Sequence, residues 1–143
     1  IDSTLRALPH FDPDMESEPP EAVIGFRAAC ERAAGVLLAV PEYAFGIPGS
    51  FKNALDWTVG ATSLNRKPVT VLSVAPPGRG AHMGEALAHV LTAIDADAVF
   101  RSVPIGLTDI DPDGEIATPK VIADLRAIVA ELASRSSAAA VAA

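Results

Sequence analysis

The sequence has a single cysteine, Cys30, a single tryptophan and few aromatic residues of any kind among its 143 residues. One cysteine cannot close an intramolecular disulfide, and chains without disulfides are typical of reducing compartments, so we expect a cytoplasmic protein. Cys30 lies on the apolar side of a predicted helix. A small buried hydrophobe is therefore a better interpretation of this residue than a nucleophile.

Basic residues are also scarce, and the formal net charge is -7 at pH 7. The lysines and arginines are scattered rather than clustered, which disfavours nucleic acid as a partner. No apolar run approaches the length needed to span a bilayer, so we expect no membrane partner. The histidines show no metal-ligand spacing, and we expect no metal site.

Half of the residues are hydrophobic, which is enough material for a core. Helical spacing predicts helices over about 21–34, 51–59, 83–94 and 121–132. Short apolar runs predict buried strands at 36–40 and 69–75, and a third strand is expected at 98–105. Strands that alternate with helices imply an α/β fold, a parallel sheet with helices on both faces. We expect a single domain over 1–134 and a frayed Ser/Ala-rich tail over 135–143.

Two loops follow the first two predicted strands, at the sheet edge where ligands of parallel sheets bind. The first, PEYAFGIPG, offers Tyr43 and Phe45 to the face of a flat ring and glycines that let the backbone approach it. We expect Ser50 to cap the helix that follows. The second, APPGRGAHMG, presents backbone N–H groups and Arg79, which suit an anionic ligand. Taken alone, the first loop is explained equally well as a tight turn, and the second is better explained as a solvated loop.

The segment PEYAFGIPGSFKNALDW resembles the signature of the NADPH-dependent FMN reductase family. That signature often reads PEY, two or three variable residues, PG, a hydrophobic residue, KNA, an aliphatic residue and DW. The matching residues are Pro41, Glu42, Tyr43, Pro48, Gly49, Lys52, Asn53, Ala54, Leu55, Asp56 and Trp57. Nearly all of 1–134 is similar to the family in outline, including a Gly-rich loop and a DxDG turn near the end.

The resemblance implies a flavodoxin-like, doubly wound three-layer sandwich with noncovalent FMN and with NADPH or NADH as co-substrate. It implies ping-pong, two-electron hydride transfer through the flavin N5 to a quinone, a flavin or a similar small electron acceptor. No catalytic side chain is expected, because the cofactor carries the chemistry. The resemblance also implies a homodimer or homotetramer.

The residues that the resemblance assigns to the flavin lie in the two loops. They are Pro41, Glu42, Tyr43, Ala44, Phe45 and Gly46 in the first, and Ala75, Pro76, Pro77, Gly78, Arg79 and Gly80 in the second. Many relatives have Asn where this chain has Ala44, so that contact is made by the backbone or is absent. We interpret Glu42, Lys52 and Asp56 mainly as packing and interface charges, with Lys52 and Asp56 spaced for an intrahelical pair.

Family members begin with a strand, a Gly/Ser-rich phosphate loop, a helix and a second strand, and residues 1–8 resemble only the tail of that second strand. In the flavodoxin order 2-1-3-4-5 the first strand lies in the middle of the sheet, and its loss would orphan backbone groups on both sides. We therefore expect the sequence to be incomplete at its N-terminus. A chain that truly started at Ile1 should bind FMN poorly, since the phosphate would have no anion-binding nest.

Two other functions are kept as alternatives. One is a non-enzymatic, flavodoxin-like binding or regulatory protein that has lost flavin binding, which the missing phosphate loop favours. The other is a hydrolase built on Ser50, His82 and Asp56, although the Gly-x-Ser-x-Gly elbow is missing. Residues 109–116 resemble the start of an EF-hand loop, but Lys120 stands at the twelfth position, so a polar turn that caps the last helix is preferred.

Overall fold

The computed structural model describes residues 3–76 and 78–142. Within them, one parallel sheet has the order β1–β2–β3, formed by β1 (Val36–Ala39), β2 (Pro68–Ser73) and β3 (Asp97–Ser102). The helices are α1 (Glu21–Arg32), α2 (Gly49–Val59), α3 (Ala81–Ala93) and α4 (Pro119–Ala142). Val69 of β2 lies opposite Val36 on one side and Ala98 on the other. The predicted alternation of strands and helices is confirmed.

Helices cover both faces of the central strand. Val69 and Val71 of β2 lie in one core cluster with side chains of α2 and α3, among them Leu55 and Leu87. On the opposite face Leu72 packs with α4, in a cluster with Val121, Ile128 and Val103. Burial of each such side chain contributes about 1.5 to 3 kcal/mol. The three-layer α/β arrangement therefore follows from the alternation of side chains along β2.

The expectation of strands covered on both faces is right for β2 and wrong for β1. In β2, Val69 and Val71 are 0% and 1% exposed, and Leu72 is 6% exposed. In β1, Leu37 is 41% exposed. The physical reason is position in the sheet, because β2 has a neighbour on each side whereas β1 pairs with β2 alone among the described residues.

The N-terminal segment packs on helices rather than on the sheet. Ser3–Ala7 is a short 3-10 helix that contacts α1 and α2, so the interpretation of 1–8 as the tail of a strand is wrong for these residues. Ile1 and Asp2 lie outside the described residues. Leu8 is buried in a second core cluster with Val23 and Trp57, which fixes the segment to α1 and α2 as apolar burial requires.

Helix α4 continues through the segment expected to fray, and the predicted tail over 135–143 is wrong as far as Ala142. Alanine has the highest helix propensity, and tertiary contacts anchor the same turns. Arg135 donates hydrogen bonds to the backbone oxygens of Val69 and Asp97, at 3.2 and 2.5 Å. Ser136 is buried against Gly35, where a Cβ would lie 2.2 Å from the serine Oγ. These contacts anchor the start of the segment, and the domain limit at residue 134 stays a prediction.

An ion pair between Arg101 and Glu131 joins β3 to α4. Arg101 donates two hydrogen bonds to the carboxylate of Glu131. These bonds hold the pKa of Glu131 below its usual range and raise the pKa of the Arg101 guanidinium. Because the carboxyl pKa is lowered on folding, the stabilisation is present at neutral pH and is lost as the pH falls through the lowered pKa.

No helix in the described part of the chain is both long and apolar enough to cross a bilayer.

Candidate functional site

The first loop, residues 40–48 between β1 and α2, contains a two-residue hairpin turn. Tyr43 and Gly46 exchange both backbone hydrogen bonds, at 3.0 and 2.9 Å. Between them Ala44 and Phe45 have φ of 48° and 60°, in the left-handed region. Turns of this kind favour Asn and Gly, because other side chains meet the following carbonyl oxygen. The turn is therefore strained, and it holds the Phe45 side chain 78% exposed.

Replacing Ala44 with asparagine should relieve part of this strain. Asparagine tolerates left-handed backbone better than alanine does, so we expect A44N to raise the free energy of unfolding by about 0.5 to 1 kcal/mol. The corresponding rise in Tm is about 2 to 4 °C, measured by thermal unfolding.

A valine at the same position provides the matched control for A44N. A β-branched side chain is a genuine outlier at positive φ, so A44V should lower Tm. If A44N unfolds at the same temperature as the natural chain or below it, the turn carries no relievable strain at this position.

The second loop, residues 74–80, depends on glycine where it enters α3. Gly78 and Gly80 have φ of 81° and 89°. A Cβ on Gly80 would lie 2.6 Å from the Ser73 Oγ and 3.2 Å from the Ala75 Cβ. Both the backbone angle and the space around it therefore exclude other residues at Gly80, which is the N-cap residue of α3.

Glu42 joins the first loop to the start of helix α3. Its Oε2 accepts a hydrogen bond from the backbone N–H of Met83, at 3.0 Å, in the first turn of α3. The first N–H groups of a helix have no partner within the helix, and the positive end of the helix favours a carboxylate. Glu42 therefore acts as a packing charge, because its carboxylate holds the first loop against the start of α3.

A pocket of about 400 Å³ lies between the two loops, at the carboxyl ends of β1 and β2. It is lined by Glu42, Ala44, Phe45, Gly78, Arg79, Gly80, Ala81 and His82. The rings of Phe45 and His82 meet edge to face, with centroids 5.2 Å apart and planes at 86°. The volume lies in the range of small-molecule sites, and the lining combines aromatic surface with a few polar groups.

The structure brings six of the predicted flavin residues to this pocket and adds Ala81 and His82. The sequence does contain a signal for these two, because they directly follow the Gly-rich loop. Pro41, Tyr43, Gly46, Ala75 and Pro76 lie in or beside the same loops but are not part of the lining, and Pro77 is outside the described residues. Tyr43 is 65% exposed. The assignment of all twelve residues to the flavin stays a prediction.

A larger cavity, of about 570 Å³, lies between α1, α2 and β1. Its lining is apolar, with Phe26, Phe51 and Leu55 among the side chains. A ligand site needs polar groups that fix orientation, and the side chains of this lining supply only the weakly polar thiol of Cys30. The smaller pocket at the strand ends is therefore the better candidate.

Two residues of the KNALDW segment anchor the N-terminal segment instead of lining the pocket. Asn53 accepts a hydrogen bond from the Phe11 N–H at 2.7 Å and donates one to the Pro9 oxygen at 2.9 Å. The Trp57 Nε1 donates to the same oxygen at 2.9 Å. Residues 9–11 are thus tied to α2 by side chains whose role the sequence pattern does not reveal.

The remaining candidates take structural roles. Lys52 and Asp56 form the predicted intrahelical pair at 2.5 Å, which is confirmed and occupies the carboxylate proposed for a hydrolase. Helix α2 begins at Gly49 after Pro48, so the expected cap by Ser50 is wrong. Proline at the cap presets the backbone angle and places Ser50 inside the first turn.

The acidic turn behaves as a structural turn before α4. Asp109 accepts hydrogen bonds from the Thr118 hydroxyl at 2.6 Å and from the Gly106 N–H at 2.8 Å. These bonds, the threonine hydroxyl first, hold the pKa of Asp109 below its usual range. Across residues 3–76 and 78–142, no group of three or more His, Cys, Asp or Glu side chains is arranged to hold a metal ion.

Comparison with known proteins gives consistent matches. Residues 3–107 match the family model described as NADPH-dependent FMN reductase. A quinone reductase of Pseudomonas putida is 37% identical over 101 residues, covering 68% of this chain and 51% of that protein. An NADPH azoreductase of Bacillus sp. is 30% identical over 116 residues, covering 80% of this chain and 64% of that one. The chain thus spans about half the length of the first of these relatives and about two thirds of the second.

Solved structures show the same fold. FerB, a flavoenzyme NAD(P)H:(acceptor) oxidoreductase from Paracoccus denitrificans, aligns with a TM-score of 0.75 and 26% identity over 93% of this chain and 77% of that chain. An oxidoreductase from Corynebacterium diphtheriae aligns with a TM-score of 0.62 and 21% identity over 80% of this chain and 62% of that chain. The flavodoxin-like α/β fold implied by the sequence is confirmed.

Proposed function

The chain belongs to the NADPH-dependent FMN reductase family, and from that premise we propose that it is an NAD(P)H-dependent oxidoreductase that holds FMN between its first and second loops. The family's cofactors are FMN and NAD(P)H. The observation that carries the proposal is the pocket at the strand ends, because it is lined by residues from both loops that the family resemblance assigns to the flavin.

The described residues fit the ring end of a flavin. A flat heteroaromatic ring needs apolar surface for its face and backbone groups for its edge, and the pocket offers Phe45, Ala44 and the backbone around Gly78 and Gly80. A side chain at Gly80 would collide with Ser73, so the backbone path of the second loop beside the pocket depends on glycine. The pocket therefore fits the ring end of FMN.

When bound, FMN supplies the two-electron chemistry, and the protein supplies position and electrostatics. Glu42 holds the first loop against α3, Phe45 presents an aromatic surface and Arg79 places a positive charge at the edge of the pocket. We propose ping-pong hydride transfer to a quinone, a flavin or a similar small acceptor. Relatives named as quinone and azo reductases support acceptors with conjugated double bonds.

A visible spectrum of the purified protein tests the proposal. We expect a yellow protein after addition of FMN, bleached anaerobically by NADPH and recoloured by a quinone. A protein that stays colourless and does not take up FMN would contradict the proposal and favour a binding or regulatory function. Initial rates at several NADPH and quinone concentrations test the finer claim, since ping-pong kinetics gives parallel double-reciprocal lines and converging lines would exclude it.

The implied homodimer or homotetramer and the cytoplasmic location stay predictions. Light scattering of the purified protein measures its mass and so the number of chains in the oligomer. A mass equal to one chain would contradict the expected homodimer or homotetramer.

A further inference from the structure

Three exposed side chains stand around the pocket and form what we call its rim: Phe45, Arg79 and His82. Phe45 is 78% exposed, and its only ring contact among the described residues is the edge-to-face contact with His82. At least one face of the phenylalanine ring is therefore free to stack on another flat molecule.

The backbone holds Phe45 in this position at an energetic cost. Ala44 and Phe45 both lie in the left-handed region, and an exposed aromatic ring gains nothing from burial. Strained backbone persists at functional sites where the surrounding structure enforces it, here by the two hydrogen bonds between Tyr43 and Gly46. The turn thus presents a hydrophobic ring at the mouth of the pocket.

The rim also carries a positive charge that the protein does not neutralise. Within the described ranges, no carboxylate lies within 4.0 Å of the Arg79 guanidinium, as every ion pair found there involves other residues. The carboxylate in the pocket lining, that of Glu42, accepts from the first turn of α3, which offsets its charge. The chain as a whole has a net charge of -7, so Arg79 places a positive charge beside the pocket of a molecule that is acidic overall.

We propose that this rim selects planar electron acceptors that carry a negative charge, with Phe45 stacking on the ring and Arg79 attracting the anionic group. The inference rests on the proposed function, because it places the acceptor at the mouth of the pocket assigned to the flavin. It names Arg79 and Phe45 as the residues that determine specificity.

Binding of a matched pair of non-reducible ligands tests the selection without turnover. 2-Naphthoate and 2-naphthamide have nearly the same shape and differ in charge. We expect the FMN-loaded protein to bind the carboxylate about five-fold more tightly, which corresponds to about 1 kcal/mol, the upper end for an exposed ion pair. The ratio of the two Kd values, measured by NMR titration, should fall towards one in R79Q and with added salt.

Three further variants separate charge from stacking. R79K should retain most of the preference, since it keeps the charge. F45L should weaken both ligands by a similar factor, about two- to ten-fold, because it removes the flat ring but not the charge. Arg126→Gln makes the same charge change at an exposed position of α4 outside the pocket lining, and it should leave the ratio as it is in the natural chain.

Turnover provides the second arm of the test. We expect R79Q to lower kcat/KM for 2-hydroxy-1,4-naphthoquinone, an anion at neutral pH, about five-fold relative to kcat/KM for neutral 1,4-naphthoquinone. Comparing this ratio between variants cancels any common loss of FMN and the different redox potentials of the two quinones.

The outcomes distinguish this inference from the proposed function. A protein that reduces neither quinone contradicts the proposed function, and the naphthoate arm still reports on the rim. A protein that reduces both quinones with a ratio that R79Q does not change overturns the selection of anions. Equal Kd values for naphthoate and naphthamide in the natural chain overturn it as well.

Discussion

Replacing Glu42 with alanine is expected to weaken FMN binding about ten- to hundred-fold. The carboxylate joins the first loop to the Met83 N–H, and hydrogen bonds to charged groups contribute about 1.5 to 3 kcal/mol. Its removal leaves a helix N–H without this partner and releases the two walls of the pocket from one another. The loss should therefore appear in ligand binding more than in global stability, since the core clusters do not include Glu42.

Two measurements follow the change in E42A. An FMN fluorescence titration gives the Kd, and hydrogen exchange of the Met83 amide reports on the contact itself, which should exchange faster in the variant. E42Q should retain most of the affinity, because the amide oxygen accepts the same bond. E85A removes an equal charge at an exposed position of α3 and serves as the control. An unchanged Met83 exchange rate in E42A would show that Glu42 does not hold α3.

Replacing Trp57 with alanine should lower the free energy of unfolding by about 3 to 5 kcal/mol. The side chain is fully buried, with an exposed fraction of 0%, and it packs with Leu8 and Val23. Phe11 meets its ring edge to face at a centroid distance of 5.0 Å. The buried guanidinium of Arg27 lies 5.6 Å from the ring centroid. W57A therefore opens a cavity at the junction of α1, α2 and the N-terminal segment.

Urea unfolding followed by far-UV circular dichroism measures the effect, because W57A removes the only tryptophan fluorophore. W57F keeps most of the buried ring but loses the N–H donor to the Pro9 oxygen, so it should cost clearly less than W57A. Limited proteolysis should cut residues 9–16 faster in W57A than in W57F. If both variants unfold like the natural chain, the N-terminal segment does not depend on this anchor.

The expected loss of stability in W57A and the expected loss of FMN affinity in E42A arise in different parts of the molecule. Trp57 and Asn53 hold the N-terminal segment onto α2 and so maintain the scaffold, whereas Glu42 acts between the loops at the strand ends. Both belong to the same continuous signature segment. A signature of this kind therefore combines residues that line the pocket with residues that only position the elements beneath it.

Much of the site was predictable because its two loops follow apolar strands of a parallel sheet. The assignment of the second-loop glycines to the flavin stays a prediction, and the structure shows that Gly80 is required by a positive φ and by the nearby Ser73. The contact from Glu42 to Met83 was not predictable, since the two residues are separated by 41 positions. Only the packing of α3 against the first loop brings them together.

The order of strands and helices, the parallel sheet and the family were predictable from the sequence, because they depend on local periodicity and on a continuous motif. How each element is covered depends on contacts between distant residues. Leu37 is exposed because β1 pairs with β2 alone among the described residues, and residues 135–142 are helical because Arg135 and Ser136 contact β2 and Gly35. The Glu42 contact, and the lack of an ion pair at Arg79 among the described residues, also depend on which distant residues meet.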